Sequence, residues 1–445
     1  MSQRSAQRSR GDSPRQSPRT SGAGQRSQPD VSFALVGAGS VGAGIFHQST
    51  LTPGVRCDVV CDLAMNRALA LGDPARPSKI VTSPGELADV VFRGGIALCE
   101  DAALAATAPV DVLFDASTAM ETAPAYLCAA MATGKHVVMM NAEADAMFGP
   151  LLWREAQRHG VAYTSSDGDQ PAVLARLAEE LRFYGFELVM AGNIKGFLDR
   201  YTDPIRIKPE ADKRYLDAQM CSSYTDGTKL CVEMQIVANA FGGRVIRPGM
   251  VGPRMAEAVD MFRHFDFPRL WSPGDPPLID YVLGARPKGG VFVVGHVDDA
   301  YQRKMLDWFP PEIGPGPFYV LTRPYHLVHV EAMRTVLEAA REKRSLVAPR
   351  HGLLTEVVAY AKKPLAAGER IDGAGGFAAY GLIENRSDMA DPGFPICLSH
   401  AARVTRAFGR DERIAWKDVD ESSIAPTAVD AYRRTLAAET ELTPA

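Results

Sequence analysis

Val31-Ser-Phe-Ala-Leu-Val-Gly-Ala-Gly-Ser-Val-Gly-Ala-Gly44 decides the fold: an apolar run breaks into glycines, and a pattern with helical spacing resumes behind them. The stretch reads as a buried strand, a tight turn and a helix start. Gly37, Gly39 and Gly42 stand at the G-x-G-x-x-G spacing, and each has its own steric reason. The first permits the turn, the second lets backbone approach a pyrophosphate, and the third lets helix pack close to strand. Ser40 and Val41 lie between them, where unpaired N–H groups and the positive end of the helix dipole favour phosphate. The next apolar run, Val55 to Cys61, leads to Asp62, about 20 residues beyond Gly42, the distance at which a carboxylate hydrogen-bonds a ribose hydroxyl. Arg67 follows closely enough to accept a 2′-phosphate, so the residues leave both NAD and NADP open.

Strand and helix patterns then alternate. Val110 to Ser117 and Gly134 to Asn141 read as apolar strands that end in polar residues, a helix runs from Ala123 to Thr133, another from Pro150 to His159, and Val161 to Ser166 is a further strand. This alternation predicts a parallel sheet with right-handed crossovers, whose ligands gather at the carboxyl ends of the strands. Ser117, Thr118, Asn141 and Glu143 are therefore candidates for lining a cofactor groove, each with the alternative of capping the following helix.

From Asp167 to about Arg344 the alternation fades. A strand from Phe186 to Gly192 precedes a polar loop, 193–201, that carries Asn193 and Lys195. A strong helix begins after Tyr224-Thr-Asp-Gly-Thr228 and ends near Asn239. Lys229 sits in its first turn, where a cation opposes the macrodipole, which points to a facing anion; an i,i+4 pair with Glu233 is the structural alternative. Phe318 to His326 reads as a strand bearing Arg323 and His326 near its end, ahead of a helix from Leu327 to Lys343. From His351 onward short strands and turns return. The fold class is α/β: a disordered tail at 1–30, a Rossmann-type parallel sheet domain at 31–170, an α+β catalytic domain at 171–345 and a small β-rich C-terminal domain at 346–445.

The chain of 445 residues is 46% hydrophobic, enough for sizeable cores, and its net charge of −4 and pI near 6.2 create no global field for nucleic acid or anionic membrane. Seven cysteines form no C-x-x-C pair and lie mostly in apolar runs, and no apolar stretch has the length of a membrane helix. A cytoplasmic protein with small-molecule substrates is the expectation, a homo-oligomer without nucleic-acid or membrane partners. Residues 1–30, rich in Ser, Arg and Gln, lack the apolar side chains that could offset the entropy of ordering.

Several segments in one order resemble the homoserine-dehydrogenase-like oxidoreductases with a C-terminal SAF (antifreeze-like) domain. They are the glycine turn, Asn141-Ala-Glu-Ala-Asp145, Gly168-Asp-Gln-Pro171, Ala191-Gly192, Tyr224-Thr-Asp-Gly-Thr-Lys229, Arg323-Pro-Tyr-His326 and Leu365-Ala-Ala-Gly-Glu369. The best-known activity in that group is that of the 1-deoxy-D-xylulose 5-phosphate reductoisomerase-like enzymes, which use NADPH. The resemblance implies an NAD(P)-dependent oxidoreductase of a small carbonyl or hydroxyl compound, a sugar phosphate or polyol, with a lean to NADP. Two departures stand out. Asn193 and Gly196 flank Lys195 where those relatives carry differently placed lysines, a change at the presumed phosphate site. Ala142 and Glu143 follow the strand-ending asparagine where homoserine dehydrogenases have a lysine, which argues against homoserine.

Reduction of a carbonyl needs a cation or acid at the developing alkoxide, and Lys195 and Lys229 are the residues chosen for it, with Asp226 as a group that could orient them. Asp169, Asn193, Asn239, Arg323 and His326 are the substrate-binding candidates. Asp226 and Asp169 could also hold a divalent cation, although no ligand spacing supports a metal site. The alternatives are a cofactor-binding sensor or scaffold that has lost its chemistry, and a homoserine-dehydrogenase-like activity.

Overall fold

The computed structural model describes residues 30–213, 216–308 and 313–442; the expected tail falls on residues 1–29, outside the described residues. Seven parallel strands form the first sheet: β1 (Val31–Val36), β2 (Val55–Cys61), β3 (Ser78–Ile80), β4 (Ile96–Cys99), β5 (Val112–Asp115), β6 (His136–Met139) and β7 (Tyr163–Ser165). Their order is β3-β4-β2-β1-β5-β6-β7. This is a Rossmann-type sheet, and its winding reverses between β1 and β5. The crevice at that reversal opens beside Gly37 and Ser117, because the carboxyl ends of both strands point there.

All six residues of β1 are buried, as expected of a parallel strand covered on both faces. One cover comes from far along the chain. The helix Val328–Glu342 lays Ala332, Met333, Val336 and Ala339 over Phe33, Leu35 and Val55, beside the helix Ser40–Leu51. The sequence reading assigned this helix to the 171–345 segment; its apolar stripe instead closes the first sheet.

Several element boundaries differ from the sequence reading; the strand expected from Phe318 to His326, for one, stops at Arg323, so His326 lies beyond it. The helix expected from Pro150 begins at Ala142, because Asn141 accepts the N–H of Ala144 (3.2 Å) and caps it. Pro150 lies inside that helix and cannot bond the carbonyl of Ala146; Gln235 Nε2 donates to that oxygen at 2.8 Å and satisfies it. The strand expected to end at Gly192 runs on to Lys195, so Asn193 and Lys195 belong to a strand rather than a loop.

That strand, β8 (Glu187–Lys195), joins β9 (Leu278–Leu283), β10 (Val291–His296) and β11 (Phe318–Arg323) in a second, mixed sheet of order β11-β10-β8-β9. The helices Gln170–Phe183 and Thr228–Phe241 pack on it. The latter helix is buried from Thr228 through Ala240, since the C-terminal hairpin of β12 (Thr355–Ala361) and β13 (Ala379–Asn385) covers its other side. The C-terminal segment is rich in short β pairings and ends in a helix, Pro426–Leu442, that the sequence reading did not anticipate and that packs against Ala142–His159.

A side chain at Gly42 would bring its Cβ within 1.9 Å of the Gly37 carbonyl oxygen. Alanine has the better helix propensity by roughly 1 kcal/mol, but the clash is with backbone and outweighs it. Gly42→Ala is expected to lose about 3 kcal/mol in urea unfolding.

Candidate active site

A groove of about 690 Å³ lies over the β1/β5 crevice. Gly37 adopts φ +96°, and a Cβ there would meet the Ala116 carbonyl oxygen at 2.6 Å, so only glycine lets the two strand ends approach this closely. Gly39 is different: its missing side chain would point into space with no atom within 4 Å. It precedes the helix Ser40–Leu51, whose first turn, with Ser40 and Val41, has no side-chain cap. Open room above uncapped N–H groups fits a pyrophosphate.

Asp62 and Arg67 line the same groove. The Asp62 carboxylate already accepts the N–H of Ala38 (2.7 Å) and of Ala64 (2.8 Å), tying the glycine turn to the loop after β2. Ser117 and Asn141 are likewise engaged within the protein. Asn141 Nδ2 donates to the Ala119 carbonyl at 2.8 Å, Ser117 Oγ accepts the Ala119 N–H at 3.1 Å, and both sit around the buried Asp115. Burial raises the Asp115 carboxyl, while hydrogen bonds from Ser117, Tyr126 and Asn141 oppose that rise. Ser117 and Thr118 line the groove, whereas Asn141 is buried behind it and, contrary to expectation, supports the wall instead of lining it.

A second cavity opens off the groove and shares Leu63, Thr118, Ala119 and Thr122 with it; Glu143 is on its wall. The Lys229 ammonium reaches both Glu143 oxygens at 3.1 Å. The anion that Lys229 faces is thus on the first turn of another helix, and the i,i+4 alternative with Glu233 is not taken. Burial alone would lower Lys229, but Glu143, Tyr224, Asp169 and Glu233 outweigh it and hold the ammonium well above its usual range.

Asn193 and Lys195, two apart on β8, share one face of the strand. Lys195 Nζ lies 3.9 Å from Glu233 Oε2, and Asn193 Nδ2 donates to that oxygen at 3.4 Å and to Gln170 Oε1. Gln170 in turn donates to His326 Nε2 at 3.1 Å, and His326 Nδ1 lies 3.1 Å from the Gly168 carbonyl oxygen. His326 therefore joins the cluster through Gln170. Asp169 caps the helix Gln170–Phe183 and acts electrostatically on Lys229 and Glu233.

Three expected site residues lie elsewhere. Asp226 is fully buried against Lys362 (2.8 Å), whose ammonium also donates to the carbonyls of Thr202 and Gly376, so it fastens the C-terminal segment instead of orienting Lys195 or Lys229. Asn239 is hydrogen-bonded through its side chain to the backbone of Thr355 at 3.0 and 3.4 Å, near the opposite end of the helix from Lys229. Arg323 pairs with Glu331 at 2.7 Å and stacks on Tyr325. Sequence reasoning missed Gln170 and Tyr224 as members of the cluster. Gln170 was within the quoted Gly168-Asp-Gln-Pro171, but nothing local to that stretch signals a partner on β8. Among the described residues no three His, Cys, Asp or Glu side chains gather as a metal site.

Residues 168–332 match the family model described as the catalytic domain of oxidoreductase DRL. A 1-deoxy-D-xylulose 5-phosphate reductoisomerase of Thermus thermophilus is 31% identical over 135 residues, 30% of this chain; the match spans 32% of that relative. Among solved structures, the probable dehydrogenase of Thermotoga maritima covers 72% of this chain and 91% of its own at 11% identity and a TM-score of 0.42. A DOX-P reductoisomerase in complex with NADPH, fosmidomycin and magnesium covers 47% and 57% at 19% identity and a TM-score of 0.33. At these scores neither structure bears on function. The middle of the chain is similar to an oxidoreductase catalytic domain, while the likeness to homoserine dehydrogenases and to an SAF domain rests on the sequence segments alone.

Lys362→Met would leave Asp226 buried without a counterion and is expected to lose about 3–5 kcal/mol in urea unfolding, most of it recovered when Asp226→Leu is added. The Glu233 carboxyl offers a pH test. Burial pushes it up to about 7, with Lys195 and Lys229 opposing and Asp169 and Glu143 adding to the rise, against 4.5 for the free group. The folded state thus keeps this proton longer than the unfolded chain. The resulting stability is present below pH 4.5 and lost as pH rises through about 7. Glu233→Gln should gain on wild type by on the order of 2–3 kcal/mol between pH 4.5 and 8 in urea unfolding.

Proposed function

We propose that the protein is an NAD(P)-dependent oxidoreductase of a small carbonyl or hydroxyl compound. The observation that carries this reading is the buried Lys229 ammonium, paired with Glu143, which is on the wall of a cavity that shares four lining residues with the groove over the glycine turn. The nicotinamide, when bound, supplies the hydride for the carbonyl carbon and is oxidised by two electrons, while a proton from solvent completes the alcohol.

The protein's own part is electrostatic. Lys229 Nζ is the positive charge for the developing alkoxide, and Glu143 holds it in place before reaction, so little reorganisation is required. Lys195, only partly exposed and tethered through Glu233, is the second cation. Gln170 and Asn193 fix the position of Glu233. In the groove, the turn from Gly37 to Gly42 would hold the pyrophosphate, and Arg67 beside Asp62 would favour NADP over NAD. The substrate class implied by the resemblance, a sugar phosphate or polyol with reductoisomerase-like chemistry as one form, defines the first panel to assay. A second reading is a dinucleotide-binding sensor without turnover. One observation favours it: both lysines face carboxylates that already balance their charge.

Lys229→Ala is expected to lower kcat about 100-fold while the dinucleotide Kd, from fluorescence titration, stays within about twofold. Gly39→Val, whose Cβ has no protein atom within 4 Å, should do the reverse: near-native melting temperature and a dinucleotide affinity reduced at least about tenfold. Tight dinucleotide binding with no turnover on any carbonyl or alcohol in the panel would favour the sensor.

A further inference from the structure

The cavity off the dinucleotide groove has a volume of about 550 Å³, and neither lysine nor arginine is among its lining residues. Three parts of the chain form most of its wall, the loop 118–122 after β5, the helix Ala218–Asp226 with Asp217 before it, and the C-terminal segment from Gly373 to Ala428, and Leu63 and Glu143 complete it. Met120, Met220, Leu398 and Ile424 make most of its surface apolar. Three carboxylates reach the lining, each in a different state. Glu143 is neutralised by Lys229. Asp217 accepts the N–H groups of Gln219 and Met220, both at 3.0 Å, and so occupies the helix N-terminus that faces the cavity. Glu121 is exposed at the rim.

A phosphate ester entering this cavity would shed hydration, find no cation on the lining and only the Glu143-neutralised Lys229 behind it, and meet the Glu121 carboxylate. The Gln219 amide is also spent, donating to the carbonyls of Asp372 (2.8 Å) and Ala374 (3.1 Å). An uncharged molecule faces the opposite balance. Its hydrocarbon part gains by burial against the methionine, leucine and isoleucine side chains. Its polar end can turn to Lys229, whose partner Glu143 is on the wall, or to His400, whose ring has no hydrogen-bond partner among the described residues.

We infer that this cavity is the substrate pocket and that it selects an uncharged oxo or hydroxy compound with a hydrocarbon portion, in preference to a phosphate ester, with the C-terminal segment forming the selective wall. The inference rests on the reductase reading and narrows its substrate. The test is calorimetric titration, with and without reduced dinucleotide, of cyclohexanone and of dihydroxyacetone phosphate into wild type, Leu398→Trp and Ala401→Phe. Cyclohexanone should bind at least about tenfold more tightly than the phosphate ester, and the variants should lose it by about tenfold or more with unchanged dinucleotide affinity. If dihydroxyacetone phosphate binds as well as cyclohexanone, or if both folded variants bind cyclohexanone like wild type, the inference is overturned. Cofactor oxidation followed in parallel separates the two claims. Cyclohexanone bound but never reduced overturns the reductase reading and leaves the pocket; reduction of the phosphate ester alone does the reverse.

Discussion

The helix Thr228–Phe241 is buried from Thr228 through Ala240, and the polar side chains along it must all find partners inside the protein. The partners come from three parts of the chain distant from the helix in sequence. Thr228 accepts the N–H of Gly381, Lys229 holds Glu143, Glu233 meets Asn193 and Lys195, Gln235 bridges the Ala146 carbonyl to the Val357 N–H, and Asn239 pairs with Thr355. The first sheet's helix layer, the second sheet and the C-terminal hairpin are thereby registered on one element. A shift of that helix by one residue would leave several of these groups unpaired at once, each at a cost of about 1–3 kcal/mol.

The same constraint concentrates charge. Lys229 and Glu233 are on adjacent turns of the buried helix, Lys195 and Asn193 approach from β8, and Glu143 approaches from the helix after β6. Burial strengthens the attraction between Lys229 and its neighbouring carboxylates, which is why Lys229 keeps its proton despite desolvation, whereas desolvation itself makes Glu233 ionise late against the pull of Lys195 and Lys229. Such an arrangement places fixed charge close to the groove over the glycine turn and to the apolar cavity next to it.

Much of this was legible along the chain, unevenly. The strand, glycine turn and helix at Val31 to Gly44 follow from local sterics, and β1 and the helix Ser40–Leu51 fall where the pattern requires. Lys229 could be singled out because a cation in a helix first turn is locally unfavourable. Its partner could not, because Glu143 is 86 residues away. Asp226 and Asn239 had the right chemistry for a site and yet serve as fasteners, since the elements that cover them, around Lys362 and Thr355, are still more distant in sequence.

Local spacing by itself determined the alternating α/β pattern, the Rossmann-type sheet and the position of the glycine turn, because those depend on residues within a few positions of one another. Tertiary structure alone decided which polar groups became ion pairs, which became backbone fasteners, and that Val328–Glu342 closes the first sheet. Pairing inside a protein is a competition among distant groups for the same buried donors and acceptors, and only the packed chain settles it.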